Sequence, residues 1–274
     1  MTEYQFETHQ PINLYVEIGK GGVDLHAEDT TETRVAIVGP DADDVLVELD
    51  GDQLRIIAPR QRGGLFGGDR RLDVTVTLPS HSNVATKLGS ADLRSTGTIG
   101  ACDVRTGSGD LVLDEIAGES LIESGSGDVT IDRADERLRI KSGSGDIRLG
   151  HAAQDVVIST GSGDVQIREA DGPTAVKTGS GDLSIGRALT DVGLTTGSGD
   201  LEIKAIAAGR VQVKGASGDV RVGVPAGIPV WTDVSTVSGR IHSTLEGAGE
   251  PEEGADYVEL RAKTVSGDIL LTQV

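Results

Sequence analysis

Six aspartates recur at a constant interval of 18 residues, and each closes a Gly-Ser-Gly-Asp tetrapeptide. These residues are Asp110, Asp128, Asp146, Asp164, Asp182 and Asp200. If they stack about 4.8 Å apart, neighbouring charges repel by about 1 kcal/mol in water, so each carboxylate needs a compensating group. The sequence favours backbone N–H groups of the glycine-rich turn in that role, as in an Asx turn or a nest. A row of Ca²⁺ sites is the alternative, although the calcium-binding RTX repeats have half this period.

Three other features could carry chemistry. A column of hydroxyl residues precedes the turns, namely Thr106, Ser124, Ser142, Thr160, Thr178 and Thr196. Their glycine-rich surroundings favour inward stacking near the turn over an ice-binding face. His151 is expected to be a polar turn residue, and Cys102 falls in an apolar column, where we expect a small core residue. We therefore predict no catalytic, cofactor-binding or metal-ligating residue, no cofactor and no enzymatic activity.

Composition narrows the possible partners. The 274 residues include 44 Asp and Glu against 25 Lys and Arg, a formal charge of −19, which opposes binding to nucleic-acid phosphates. Aromatic residues make up 2% of the chain, too few for a carbohydrate platform or a base-stacking groove. The first residues do not form a secretory signal, and no apolar run is long enough to span a membrane. With a single Cys, these features predict a cytoplasmic protein.

The residues that follow each Asp alternate between apolar and polar side chains, which is the pattern of a half-buried strand. After Asp164, for example, Val165 and Ile167 flank Gln166. A second alternating run ends at the hydroxyl residue, so each coil supplies at least two short strands. The predicted fold is all-β, a single-stranded parallel β-solenoid (β-helix) with 18-residue coils. We expect a right-handed coil, the commoner connection between parallel strands.

The repeat loosens at both ends of the chain. We expect one continuous domain, with an irregular β amino-terminal cap and first coils at 1–91 and a regular β-solenoid at 92–274. Strands are predicted in the cap at 13–18, 34–38, 44–49, 53–57 and 72–78. A Gly- and Glu-rich insertion near 244–258 is expected to form a loop. The final strand, 268–274, is predicted to present an uncovered edge, unless another segment covers it or another chain pairs with it.

One segment of the cap has an unusual composition. Arginines bracket the apolar pair Leu65 and Phe66 among flexible glycines, between two predicted strands. We expect a hairpin tip. The functional hypothesis is that Leu65 and Phe66 form a docking tip for a protein partner or a membrane.

The repeated pattern Ser/Thr-Gly-Ser-Gly-Asp, followed by apolar residues at alternate positions, resembles the bacterial DUF4097 family of β-strand repeat proteins. A Val-rich amino-terminal portion, the Leu78-Pro79 step and the closing run Ser266-Gly267-Asp268-Ile269 extend the resemblance across nearly the whole chain. The resemblance implies a β-solenoid and brings no catalytic residues with it. The adhesin label of the family implies the cell surface.

Three functions stay open at this point. The preferred hypothesis is a non-enzymatic scaffold or protein-interaction module, whose partner is an unknown protein or a second copy joined end to end through the solenoid edges. The second is a cell-surface adhesin exported by an unrecognised route. The third is a Ca²⁺-binding solenoid that uses the Asp ladder. We expect no nucleic-acid partner, no integral membrane segment and no small-molecule substrate.

Overall fold

The computed structural model describes residues 1–59, 71–246 and 256–274. In these residues the chain is all-β and forms a parallel β-solenoid, as predicted, with one 3₁₀ turn at Ala42–Asp44. The alternation of apolar and polar side chains gives most strands one buried face. The strands are β1 (Thr2–Glu7), β2 (Asn13–Glu28), β3 (Glu32–Val38), β4 (Leu46–Asp50), β5 (Gln53–Ile57), β6 (Leu72–Pro79), β7 (Asn83–Ile99), β8 (Cys102–Thr106), β9 (Leu111–Ile116), β10 (Ser120–Ser124), β11 (Val129–Ala134), β12 (Leu138–Ser142), β13 (Ile147–Ala152), β14 (Val156–Thr160), β15 (Val165–Ala170), β16 (Thr174–Thr178), β17 (Leu183–Ala188), β18 (Val192–Ser198), β19 (Leu201–Ile206), β20 (Gly209–Ser217), β21 (Val220–Val224), β22 (Val230–Thr236), β23 (Ile241–Ser243), β24 (Val258–Thr264) and β25 (Ile269–Gln273).

The chain divides into two compact units, an amino-terminal unit (Met1–Arg137) and a carboxyl-terminal unit (Leu138–Val274). In the regular part of each unit, a coil contributes one strand to each of two stacks. β16 pairs in parallel with β18, and β17 pairs in parallel with β19. Partners are 18 residues apart, as Leu183 and Leu201 show. The inward side chains are buried, so each coil covers its apolar face with its neighbours.

The amino-terminal unit places its first coil inside the stack. The long strand β2 pairs in parallel with β5 and β6 on one side and with β7 on the other. β3 pairs antiparallel with β6 and with β1, and β4 forms an antiparallel hairpin with β5. The strands predicted at 13–18, 34–38, 53–57 and 72–78 are confirmed. The fourth strand begins only at Leu46, because the residues before it form the 3₁₀ turn and its exit.

The carboxyl-terminal unit also places its last coil inside the stack. β24 lies between β20 and β22, and β25 lies between β21 and β23, all in parallel register. Of the outcomes left open for the strand at 268–274, the structure shows cover by another segment, because β23 pairs with β25. In the described part of the chain, β22 pairs with β24 alone and β23 with β25 alone. We name these two outer strands, β22 and β23, the carboxyl-terminal edge.

Two predicted features lie partly or wholly outside the described residues. Leu65 and Phe66 fall outside them, as does 247–255 of the predicted loop. The described residues that flank this loop, 244–246 and 256–257, are not in strands, as expected. Within the ranges that the structure describes, no helix has the length and apolar character needed to cross a membrane.

Candidate functional site

The Asp ladder is a series of hydrogen bonds from coil to coil. In the carboxyl-terminal unit, the N–H of Asp164 donates to Oδ1 of Asp146 at 3.1 Å, and the N–H of Asp182 donates to Oδ1 of Asp164 at 2.9 Å. The amino-terminal unit repeats the bond, with 3.0 Å from the N–H of Asp128 to Oδ1 of Asp110. Backbone N–H groups therefore bind the carboxylates, as predicted, but each N–H comes from the neighbouring coil and not from an Asx turn.

Glycine and hydroxyl residues shape the turn that carries each Asp. Oγ1 of Thr106 accepts the N–H of Gly109 at 3.1 Å, and Oγ of Ser124 donates to the carbonyl of Gly127 at 2.9 Å. These hydroxyls point inward, as predicted. A Cβ added at Gly127 would lie 2.0 Å from the carbonyl oxygen of Gly109. The coils therefore stack too closely at this corner for any side chain.

The ladder geometry predicts different outcomes for two substitutions of Asp182. Asp182→Asn keeps an Oδ1 acceptor for the N–H of Asp200, which now lies 2.8 Å from the carboxylate. We expect this variant to stay within about 0.5 kcal/mol of the wild type, whereas Asp182→Ala should lose about 1 kcal/mol of unfolding free energy. Urea denaturation with and without Ca²⁺ measures both. Equal losses in the two variants, with a Ca²⁺-dependent gain only in the wild type, would instead indicate a cation ladder.

The ladder ends with an arginine at the carboxyl-terminal edge. The N–H of Asp268 donates to Oδ1 of Asp219 at 2.8 Å, and the N–H of Arg240 donates to Oδ1 of Asp268 at 2.9 Å. The Arg240 guanidinium lies 3.3 Å from the other carboxylate oxygen of Asp268 and remains 90% exposed. The backbone hydrogen bond from Arg240 is the main cause that lowers the pKa of Asp268. Arg240 thus replaces the ladder Asp in the outermost described coil.

Beside this edge, a cluster of charges surrounds the single tryptophan. Glu259 accepts hydrogen bonds from Nε of Arg210 and from Nε of Arg261, each at 2.6 Å. The bond from Arg210 is the largest cause that lowers the pKa of Glu259, and it also raises the pKa of Arg210. The Arg261 guanidinium lies 5.4 Å from the ring centroid of Trp231, which is 50% exposed on β22. This contact is a cation–π interaction, and it holds an aromatic ring at the rim of the edge.

A groove of about 520 Å³ runs across the neighbouring stack. It is lined by Asp219, Arg221, Arg240, Ile241, His242, Asp268, Ile269 and Leu270. Arg221 pairs with Asp219 at 2.8 Å, and Arg240 pairs with Asp268 at 3.3 Å while it remains 90% exposed. The lining holds no hydroxyl or thiol nucleophile.

His151 does not complete a catalytic arrangement. Its Nε2 lies 2.9 Å from Oδ2 of Asp171, and its Nδ1 is buried without a hydrogen-bond partner in the described residues. The pair therefore lacks the nucleophile that a catalytic triad requires. Across the described ranges, no three His, Cys, Asp or Glu side chains are grouped so as to hold a metal ion.

Cys102 is a buried core residue, as predicted. Burial raises the pKa of its thiol to about 12 from an ordinary value of 9.0. As the pH rises, the thiol loses its proton in the unfolded chain before it does so in the folded protein. The contribution of the buried thiol to the unfolding free energy is therefore complete below about pH 9 and falls as the pH rises toward 12. We expect dithionitrobenzoate to label Cys102 at pH 8 only after unfolding. We also expect Cys102→Ala to lose less stability than the wild type between pH 9 and 11. Rapid labelling of the folded protein would contradict this burial.

The residues at the carboxyl-terminal edge were not predicted as a site from sequence. One signal pointed to them, the substitution of Arg240 for Asp in Ser238-Gly239-Arg240. Trp231 and Ile241 lie on outer strands because β24 and β25, which come later in the chain, pair with β20 and β21 and so take the inner positions.

Comparison with known proteins identifies relatives of the chain. Residues 12–174 and 171–271 each match the family model described as Toastrack DUF4097. No curated protein matches the chain.

Several solved structures are similar to the chain over nearly its whole length. A "putative cell adhesion protein" from Clostridium sporogenes is 11% identical, with a TM-score of 0.23, covering 100% of this chain and 99% of the other. A "putative adhesin" from Bacteroides fragilis is 13% identical, with a TM-score of 0.37 and coverage of 98% and 96%. A "putative lipid binding protein" from Parabacteroides distasonis is 14% identical, with a TM-score of 0.38 and coverage of 100% and 96%.

Proposed function

The chain belongs to the Toastrack DUF4097 family, and we propose that it is a non-enzymatic β-solenoid scaffold that binds a protein chain at its carboxyl-terminal edge. The observation that carries this proposal is the contrast between two register partners on β23 and β25. Ile269 is 0% exposed, whereas Ile241, directly opposite it in the next coil, is 49% exposed. Among the described residues, the inward face of the outermost coil is therefore partly exposed, and a further strand would cover it.

Strand addition suits the chemistry of this edge. An outer strand presents N–H and C=O groups on its free side, and an incoming strand can bind them as a further member of the sheet. Val230 and Val234 on β22, with Ile241 on β23, point to the inward side and are half-buried or exposed. Covering them would add apolar burial to the backbone hydrogen bonds.

Site-specific photocrosslinking in the cells that produce the protein tests this function. A photoreactive amino acid at Ile241 is expected to form covalent adducts with a protein chain. The same group at Val112, which is also exposed but lies on the outward face of β9, should form few. Equal adduct yields at the two positions, or no protein adduct at Ile241, would overturn the proposal.

A further inference from the structure

We infer that the chain docked on the carboxyl-terminal edge is a second copy of this protein, bound through the outer strands β1 and β4 of its amino-terminal unit. This inference rests on the proposed function, because it names the partner of the same edge. We name β1 and β4 the amino-terminal edge. Among the described residues, β1 pairs with β3 alone and β4 with β5 alone.

The inward side chains of the amino-terminal edge are apolar and incompletely covered. On β1, the rings of Tyr4 and Phe6 stack with centroids 6.4 Å apart, and both residues are half-buried. On β4, Val47 and Leu49 are half-buried on the side of the buried residues of β5. This edge therefore offers an apolar surface that could cover the exposed Ile241 of the other edge. Contact between the two edges would bury apolar side chains on both copies.

The charges near the two edges favour this pairing over a contact between two amino-terminal edges. Residues 1–59 contain 13 Asp and Glu against 3 Lys and Arg, including the exposed Glu3 and Glu7 on β1. Residues 209–274, which include the coils at the carboxyl-terminal edge, contain nine Asp and Glu against six Lys and Arg. Two amino-terminal edges would thus repel each other more strongly than an amino-terminal edge repels the carboxyl-terminal coils, whose negative charge is smaller and which carry the exposed Arg240.

Strand direction is also compatible with the contact. β1 is antiparallel to β3, and β3 is antiparallel to β6, so β1 runs in the same direction as β6 and β2. β1 can therefore extend a stack of parallel strands from another copy, whereas β4, which is antiparallel to β5, would add an antiparallel strand. Because the two contact surfaces differ, an assembly of two or more copies still has one free edge of each kind. Assembly therefore continues into a filament or closes into a ring.

Two charge-reversed variants test the contact. The first carries Arg240→Glu, next to β23, and Lys263→Glu, on β24 beside the carboxyl-terminal edge. The second carries Glu3→Arg and Glu7→Arg at the amino-terminal edge. Light scattering coupled to size exclusion gives the mass of each, relative to the 28.3 kDa chain. We expect the mass of the wild type to exceed that of one chain as concentration rises. We expect the dissociation constant of each variant to be higher than that of the wild type by about tenfold or more. An equimolar mixture of the variants should regain association, because their charges are complementary.

Matched controls change the same net charge away from both edges. Arg187→Glu with Lys204→Glu matches the first variant, and Glu169→Arg with Glu202→Arg matches the second; both are expected to associate like the wild type. A wild type that stays monomeric overturns the inference, as does an effect of the first variant without any effect of the second, which would indicate a contact between two carboxyl-terminal edges. The proposed function fails separately, by the absence of Ile241 adducts with any protein.

Discussion

Gly127→Ala is expected to reduce the unfolding free energy by about 3 kcal/mol, more than any ordinary surface substitution. The added Cβ would lie 2.0 Å from the carbonyl oxygen of Gly109 and 2.6 Å from its carbonyl carbon. Both are backbone atoms of the neighbouring coil, so no side-chain rotation relieves the overlap. The coils can separate only by breaking the hydrogen bond from Asp128 to Asp110 at the same corner.

Ser126→Ala is the matched control, because Ser126 belongs to the same turn and is exposed. We expect it to change stability by less than about 0.5 kcal/mol. Guanidinium denaturation followed by circular dichroism measures both variants. Similar midpoints for Gly127→Ala and Ser126→Ala would show that the corner is not closely packed and would remove the reason for the glycine repeat.

Ile269→Ala is expected to cost about 3 kcal/mol, whereas Ile241→Ala should cost less than about 1 kcal/mol. The two residues have the same type and are register partners, but Ile269 is fully buried between two coils and Ile241 is half exposed. If the coils stacked in sequence order, Ile241 would be the inner residue and the two losses would be reversed. The pair therefore tests the position of the last coil inside the stack.

Fluorescence of the single tryptophan measures the unfolding of these variants, since Trp231 lies on β22 in the same unit. Denaturant midpoints of the two variants and the wild type should be compared at one protein concentration, because association would protect the edge. A larger loss for Ile241→Ala would contradict the position of β25 between β21 and β23.

The regular coils could be predicted from sequence because three constraints recur together every 18 residues. A glycine must occupy the corner where backbones nearly touch, an Asp must accept the next N–H, and apolar residues must follow at alternate positions. Val165 and Ile167 satisfy the last constraint after Asp164, and β15 begins at Val165. The inward direction of Ser124 and the burial of Cys102 followed from the same alignment.

The ends could not be predicted in the same way, because a turn motif shows that a coil exists but not which coil lies beside it. Ser266-Gly267-Asp268 looks like the last repeat, yet its Asp lies between Asp219 and Arg240. Parallel pairing requires only compatible faces. The alternation of apolar and polar residues would let Leu260 pack equally well in an inner coil or in the outermost coil. The open edge, and with it the candidate site, followed from this order of coils and was therefore missed.

Hydrogen–deuterium exchange at increasing protein concentration tests most directly whether the carboxyl-terminal edge is open and binds a strand. At low concentration, we expect the backbone amides of β22 and β23 to exchange faster than those of β24 and β25, which are paired on both sides. At high concentration, exchange in β22 and β23 should slow, together with exchange in β1 and β4, while β24 and β25 stay unchanged. Amides of β22 and β23 that are already as protected as those of β24 at the lowest concentration would contradict the open edge on which the account depends.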